Sequence, residues 1–150
     1  MSIAKITVAK TAGFCYGVER AVNMAYSAAG KYQRIFTYGP LIHNRNVVED
    51  LEKKGISVLE RIEDVLPGDA VIIRSHGVGR SVYEELEKKQ AVVIDATCPN
   101  VTRIHKLVEE CRRNGQLVLI AGDKNHPEVE GILGYGDENC FVFANCEELA

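Results

Sequence analysis

The chain of 150 residues is 46% hydrophobic and 26% charged, and it carries a formal net charge of −3 at pH 7. These values are ordinary for a soluble globular protein, and the lack of a cluster of Lys and Arg argues against a nucleic-acid-binding surface. No apolar run approaches the roughly 20 residues that a membrane span requires, and the amino terminus leads into a strand-like segment without the pattern of a signal peptide.

Short β-branched segments alternate with amphipathic helical patterns along the chain. The predicted elements are a strand over 6–9, a helix over 18–29, a strand over 34–38, a helix over 45–54, strands over 56–59 and 70–74, a helix over 80–90, a strand over 91–94, a helix over 100–114, a strand over 117–121, a helix over 128–134 and a strand over 141–143. Val71-Ile72-Ile73 and Leu117-Val118-Leu119-Ile120 are continuously apolar, as expected for strands covered on both faces. Gly55 and Gly115 stand where helices should end. The pattern predicts a parallel α/β fold.

The sequence matches itself at an offset of 83 positions. The shared patterns are C-x-x-V-x-R and G-x-x-x-H, each at a predicted strand-to-helix junction. The identical pairs are Cys15/Cys98, Val18/Val101, Arg20/Arg103, Gln33/Gln116, Gly39/Gly122 and His43/His126. Some identities arise at any offset, but Cys and His are few here, so duplication explains these better than coincidence. We therefore predict repeated parallel βα units, a first over 1–95 and a partial second over 96–150. Residues 145–148 are expected to begin a further helix, so the second unit looks cut off.

Two of the five cysteines stand at predicted helix starts. Cys15 is flanked by glycines that permit close approach of a bulky group, and Cys98 precedes a proline suited to an early helical position. Thiolates at helix amino termini suit a metal or cluster, although a redox disulfide or buried structural thiols remain open. Cys111, Cys140 and Cys146 are predicted to be buried or incidental thiols. The lack of a signal peptide pattern predicts a reducing, cytoplasmic compartment, in which structural disulfides are not expected. The odd number of cysteines and the lack of a CxxC pair also argue against a zinc finger.

Three histidines and a glutamate follow predicted strands and precede predicted helices. The carboxyl ends of parallel strands form a binding crevice, and helix amino termini there favour phosphate groups. His43, His76 and His126 are therefore candidates for binding a diphosphate, with metal ligation as the rival role. Glu128 suits either a proton donor or a first-turn glutamate that the helix dipole favours. His105 falls inside a predicted helix and is interpreted as a packing or surface residue.

Five motifs follow one another along the chain. They are Gly13-Phe14-Cys15-x-Gly17-Val18-x-Arg20-Ala21, Gly39-Pro40-Leu41-Ile42-His43-Asn44, Ser75-His76-Gly77-Val78, Asp95-Ala96-Thr97-Cys98-Pro99 and His126-Pro127-Glu128-Val129-Glu130-Gly131. Each motif alone is weakly specific, but their combination and order resemble the LytB family of hydroxymethylbutenyl diphosphate reductases, and the match covers the whole chain.

The resemblance implies an oxidoreductase of the non-mevalonate isoprenoid pathway. Such enzymes remove the hydroxyl group of 4-hydroxy-3-methylbut-2-enyl diphosphate, giving isopentenyl and dimethylallyl diphosphates. The resemblance implies a [4Fe-4S] cluster with Cys15 and Cys98 as two of its three cysteine ligands, the third lying beyond residue 150. It further implies three similar α/β units, of which one and a part are present, so that this chain alone should be inactive.

The resemblance also assigns substrate contacts and partners. It implies that His43, His76 and His126 contact the diphosphate and that Glu128 lies in the path of proton delivery. The implied partners are the small allylic diphosphate substrate and an electron-donor protein such as ferredoxin or flavodoxin, with no nucleic acid and no membrane. Two alternatives stay open: a non-redox anion-binding α/β module, and a thiol or Zn²⁺ hydrolase.

Overall fold

The computed structural model describes residues 5–149. Its elements are α1 (Tyr16–Ala28), β1 (Ile35–Tyr38), α2 (Arg45–Lys53), β2 (Ile56–Leu59), a 3₁₀ turn (Ile62–Asp64), β3 (Ala70–Ile73), α3 (Arg80–Lys88), β4 (Val92–Asp95), α4 (Pro99–Arg113), β5 (Val118–Ala121), α5 (Pro127–Leu133) and β6 (Cys140–Phe143). The predicted parallel α/β fold is confirmed. No helix within residues 5–149 has both the length and the apolar character needed to cross a bilayer.

Four strands form a parallel sheet in the order β2-β1-β3-β4. The central strand β3 is fully buried, as its apolar run predicts, and successive side chains point to opposite faces. Ile72 packs on one face with residues of α1 and α2, whereas Val71 and Ile73 pack on the other face with Leu86 of α3. Helices therefore cover both faces of this sheet.

The last two strands form a separate parallel sheet, β5-β6. Helix α4 contacts β5 and α5, but alternate apolar side chains remain open to solvent. Leu117, Leu119 and Phe141 are 62%, 51% and 52% exposed. The expectation that 117–120 is covered on both faces is wrong for this structure, because no described residues pack over the outer face of β5.

The predicted strand over 6–9 is also wrong. These residues form no strand, and Ile6 and Val8 are 87% and 73% exposed. A strand requires a neighbouring strand for its backbone hydrogen bonds, and neither sheet offers one to this segment. The helix expected to begin at 145–148 is a turn through residue 149, in which the Asn145 side chain accepts hydrogen bonds from the backbone N–H groups of Glu147 and Glu148.

The order of elements agrees with the sequence repeat. α1, β1, α2 and β2 recur as α4, β5, α5 and β6, and each pair of strands is parallel. The first residues of α1 and α4, and those of β1 and β5, differ by the same 83 positions as the repeated motifs. Gly55 follows α2 and Gly115 follows α4, as predicted for helix ends, with φ of 81° and 63°, the left-handed conformation that glycine adopts without strain. The repeat in the sequence therefore corresponds to a repeat of secondary-structure elements.

Candidate functional site

Three imidazoles meet at the carboxyl ends of the strands. His43 follows β1, His76 follows β3 and His126 follows β5. The ring centroids lie 4.6 Å apart for His43 and His76, 6.0 Å for His43 and His126, and 5.8 Å for His76 and His126. We call these residues the histidine cluster. Both sheets contribute to it, so the sequence-predicted histidines from distant loops share one location.

Backbone hydrogen bonds continue the sheet ladder beyond the strand ends and align the site loops. The Ser75 N–H donates to the Leu41 carbonyl at 3.2 Å, and the Cys98 N–H donates to the Ser75 carbonyl at 2.9 Å. The Ser75 hydroxyl also donates to the Leu41 carbonyl at 3.3 Å. Leu41 and Ile42 are buried, so apolar packing anchors the loop that presents His43. Three loops are thereby fixed relative to one another.

Helix α5 reaches the histidine cluster through contacts between glycines. A Cβ atom added to Gly79 would lie 3.0 Å from the Cα atom of Gly134, and one added to Gly134 would overlap the Gly79 backbone. A Cβ atom on Gly131 would lie 3.5 Å from the Gly77 backbone. Because no side chains intervene, α5 lies directly on the loop that follows His76. This approach brings His126, at the start of α5, next to His76.

His76 is uncharged at neutral pH in this setting. Burial, reinforced by the positive charges of His43, Arg74 and His126, lowers its pKa from 6.5 to about 4. Its Nδ1 atom is buried and has no hydrogen-bond partner among residues 5–149. An unpartnered polar atom in a cluster of imidazoles is available to a ligand, and a neutral ring can donate one N–H and accept one hydrogen bond.

His126 caps α5 with its own side chain. Its Nδ1 atom accepts a hydrogen bond from the Glu128 N–H at 3.2 Å. With Nδ1 acting as the acceptor, a neutral ring carries its proton on Nε2, which can then donate to a ligand. Glu128 occupies the first turn of α5 and is partly exposed. The carboxylate therefore lies on the same helix turn as an imidazole of the cluster.

Cys15 and Cys98 are the amino-terminal caps of α1 and α4, and neither side chain makes a capping hydrogen bond. Cys98 also contacts α1, because a Cβ atom added to Gly17 would lie 2.5 Å from its sulfur. The Arg20 guanidinium on α1 donates to the Thr97 carbonyl at 3.1 Å, which fastens α1 to the Cys98 loop. Helix amino termini favour negatively charged ligands such as thiolates. The two predicted cluster cysteines thus stand at adjoining helix starts.

The other cysteines lie outside this arrangement. Cys111 is within α4, Cys140 begins β6 and Cys146 is exposed in the terminal turn. Burial and the charge of Asp137 raise the pKa of the Cys140 thiol. All five cysteines are free thiols.

The thiols of Cys15 and Cys98 have the chemistry of iron–sulfur cluster ligands. Sulfur at helix starts matches the ligand chemistry of iron–sulfur clusters, which are held by cysteine thiolates. Within residues 5–149, no group of three or more His, Cys, Asp or Glu side chains is arranged to hold a metal ion. Cys15 and Cys98 are therefore candidate thiolate ligands, and they do not by themselves make a complete metal site among the described residues.

Sequence reasoning missed Arg74 and the role of Arg20. Arg74 ends the apolar run of β3 and directly precedes Ser75, and a charged residue next to a fully buried strand is a signal that could have identified it. Arg20 belongs to a repeated pattern and to the first family motif, but neither indicates its hydrogen bond to the Thr97 carbonyl. His105, interpreted as packing or surface, is 3% exposed and stacks on Tyr135 with ring centroids 4.4 Å apart, so packing is confirmed.

Comparison with known proteins gives a consistent match. The model of the LytB protein family matches residues 6–150. The chain is 45% identical over 148 residues to the 4-hydroxy-3-methylbut-2-enyl diphosphate reductase of Caldanaerobacter subterraneus subsp. tengcongensis, which covers 96% of the chain and 51% of that protein. It is 47% identical over 145 residues to the Trichlorobacter lovleyi protein of the same name, covering 97% and 51%. The chain spans about half the length of the curated relatives it matches.

Solved structures give the same result. An (E)-4-hydroxy-3-methyl-but-2-enyl diphosphate reductase, described as the terminal enzyme of the non-mevalonate pathway, aligns with a TM-score of 0.83 and 42% identity over 96% of this chain and 52% of its own. The E-1-hydroxy-2-methyl-but-2-enyl-4-diphosphate reductase from Plasmodium falciparum aligns with a TM-score of 0.89 and 30% identity over 93% and 44%.

Proposed function

Because the chain belongs to the LytB protein family, we propose that it supplies the histidine cluster and two cluster-ligating cysteines of a 4-hydroxy-3-methylbut-2-enyl diphosphate reductase. The reaction consumes two electrons and two protons, breaks the carbon–oxygen bond of the substrate hydroxyl and releases water, leaving isopentenyl or dimethylallyl diphosphate. The observation that carries the proposal is the meeting of three imidazoles from both sheets within 6.0 Å of one another.

Cys15 and Cys98 are the proposed ligands within this chain. A [4Fe-4S] cluster, when bound, supplies the electrons and a Lewis-acidic iron for the substrate oxygen. The chain's own contribution is to hold two thiolates at adjoining helix starts, where the partial positive charge of α1 and α4 offsets their negative charge. The third cysteine ligand is proposed to lie beyond residue 150.

The histidine cluster is proposed to bind the diphosphate. A neutral His76 and the Nε2–H of His126 offer hydrogen-bond donors, and charge-assisted bonds to phosphate oxygens are stronger than neutral ones. The amino terminus of α2, capped by Asn44, lies directly after His43 and adds free backbone N–H groups. These donors hold the anionic end of the substrate while its hydroxyl end is oriented toward Cys15 and Cys98.

Glu128 is the proposed proton carrier. It lies two residues from His126 in the first turn of α5, so a proton held on its carboxyl oxygen would be near a bound substrate. A carboxylic acid at this position can deliver the proton that the product carbon requires, and exposure to solvent allows it to be reprotonated between turnovers.

The proposal extends to partners, organisation and location. An electron-donor protein such as ferredoxin or flavodoxin would supply the two electrons. The division into units over 1–95 and 96–150 is supported by the two separate sheets, with a third unit expected in proteins of the relatives' length. Five free thiols support a reducing, cytoplasmic compartment.

The test is iron and acid-labile sulfide per chain after anaerobic purification and reconstitution, in this chain and in the complete gene product. We expect Cys15→Ser and Cys98→Ser each to abolish cluster binding, whereas Cys146→Ser, a matched loss of an exposed thiol, should leave it unchanged. Reductive dehydroxylation is then assayed in the complete gene product with a chemical reductant.

Each alternative gives a different result. An anion-binding module without redox function would hold no iron in the complete gene product, and its diphosphate affinity would survive both substitutions. A thiol hydrolase would lose its activity on alkylation of a single cysteine in the absence of iron. Either result would contradict the reductase proposal.

A further inference from the structure

Arg74 is a charged residue next to the loops that carry His43 and His76, and the proposed function gives it no role. It follows the fully buried strand β3, and its side chain is half-buried. Burial lowers the pKa of its guanidinium below the usual arginine value, and an arginine side chain remains charged in proteins. Among residues 5–149, no carboxylate forms a salt bridge with it.

The guanidinium bridges two of the histidine-bearing loops. Its Nε–H donates to the Gly77 carbonyl at 3.4 Å, immediately after His76. Its Nη1 lies against Gly39, where an added Cβ atom would be only 2.8 Å away, and Gly39 begins the loop that ends at His43. A side chain that contacts both loops restricts their relative movement.

The charge of Arg74 also faces the third histidine-bearing element. Glu130 on α5 interacts with the guanidinium electrostatically, but it is exposed and too distant to form a salt bridge. A half-buried guanidinium loses hydration and gains little from such a distant, solvent-screened carboxylate. The site is therefore left with a positive charge that a multiply charged anion could balance.

We propose that Arg74 is a positioning residue of the diphosphate site: it holds the His43 and His76 loops together, and its unpaired charge strengthens diphosphate binding. The inference rests on the proposed function. Arg74 acts through Gly39 and Gly77 on the imidazoles, which make the contacts with the phosphate oxygens. The opposing interpretation is that Arg74 only fills space beneath the loops.

The first experiment measures the binding of inorganic diphosphate to the full chain by calorimetry at low salt. We expect Arg74→Met, which keeps most of the apolar stem, to weaken binding by about tenfold. Arg74→Lys retains the positive charge but lacks the planar guanidinium group with its several N–H donors, and it should weaken diphosphate binding by about threefold. Arg113→Met, the same substitution at the exposed far end of α4, is the matched control and should change the affinity by less than about twofold.

The second experiment measures the pKa of each histidine by NMR, with thermal unfolding as a check of folding. The charged groups that face His76 are His43, His126 and Arg74. Arg74→Met should raise the pKa of His76, and Arg74→Lys should leave it low. The pKa of His105, which burial and Asp95 control, serves as an internal reference.

The outcomes separate the two proposals. If the unsubstituted chain binds no diphosphate, the histidine cluster is not a diphosphate site and the proposed function fails, whereas the NMR titration still decides whether Arg74 acts on His76. If diphosphate binds equally well to Arg74→Met, or if the pKa of His76 does not respond to that substitution, the role of Arg74 is overturned.

Discussion

The four-stranded sheet and the two-stranded sheet share one repeated series of helix, strand, helix and strand, but they bury their apolar residues to different degrees. Ile72, in the centre of the first sheet, is fully buried between helices. Leu119, an apolar residue within β5 of the second sheet, is 51% exposed. The number of helices around each strand, rather than the hydrophobicity of the strand itself, therefore decides how much of its apolar surface is removed from water.

This difference bears on the candidate site, because the site draws on both sheets. His43 and His76 follow strands of the four-stranded sheet, whereas His126 follows β5 of the two-stranded sheet. The well-packed sheet fixes two imidazoles, and glycine contacts between α5 and the His76 loop bring in the third. The integrity of the histidine cluster should thus depend on packing in the first region and on close contact at the junction.

The largest expected effect tests the contrast in burial. Ile72→Ala should lower the free energy of unfolding by about 3–4 kcal/mol, since it removes a fully buried side chain and leaves a cavity. Leu119→Ala should cost less than about 1 kcal/mol, because half of its side chain already contacts water. Urea unfolding of both variants gives the two values, and similar losses for both would contradict the contrast between the sheets.

The next effect tests the junction between the regions. Gly134→Ala should destabilise the chain by about 1–3 kcal/mol, because the new methyl group overlaps the Gly79 backbone although the φ of −64° suits alanine. Gly131→Ala, one turn earlier, is the matched control. It should be neutral or stabilising by up to about 1 kcal/mol, since its Cβ atom meets ordinary contacts and alanine favours a helix. Thermal unfolding measures the stability of both variants. If Gly134→Ala is as stable as the unsubstituted chain, the contact between α5 and Gly79 is not closely packed.

A smaller effect concerns the pH dependence of the histidine cluster. His76 has a pKa of about 4 when folded, against 6.5 as the ordinary value. The unfolded chain therefore binds more protons between these values, so the stabilisation is complete above pH 6.5 and is lost as the pH falls through 4. After discounting for solvent screening, we expect the free energy of unfolding to fall by about 1 kcal/mol over this pH range.

His76→Gln provides the measurement for this pH effect. The free energy of unfolding of the unsubstituted chain should fall more steeply below pH 6.5 than that of the variant. His126→Gln, a second substitution in the cluster, controls for the general loss of an imidazole. Parallel pH curves for the chain and for His76→Gln would show that His76 is not held neutral by the fold.

The smallest effect is expected on the surface of the better-packed region. Arg45 and Glu49 form an ion pair at 2.7 Å, but their side chains are 91% and 45% exposed. Arg45→Ala should change the free energy of unfolding by no more than about 0.5 kcal/mol, because solvent screens the pair. Urea unfolding at two salt concentrations measures this change. A loss of more than about 1 kcal/mol in the free energy of unfolding would mean that the exposed ion pair is more stabilising in the well-packed region than solvent screening allows.

Much of the local structure could be predicted from the sequence. Every predicted helix through 128–134 and every strand except that over 6–9 is present, with boundaries that differ by two residues or fewer. Hydrophobic periodicity and glycine positions determine these elements because they act within a few residues. The predicted strand over 6–9 failed because its apolar residues satisfy a local rule, whereas a strand also needs a partner that no local rule supplies.

The candidate site shows the same division. The sequence by itself placed His43, His76 and His126 after strands, because parallel α/β folds carry polar residues at that edge. Only the tertiary structure decided that the three rings lie within 6.0 Å of one another and that Arg74 reaches both Gly39 and Gly77. These contacts join residues that are distant along the chain. Strand order and the close approach of glycine backbones set them, and neither leaves a periodic signal in the sequence.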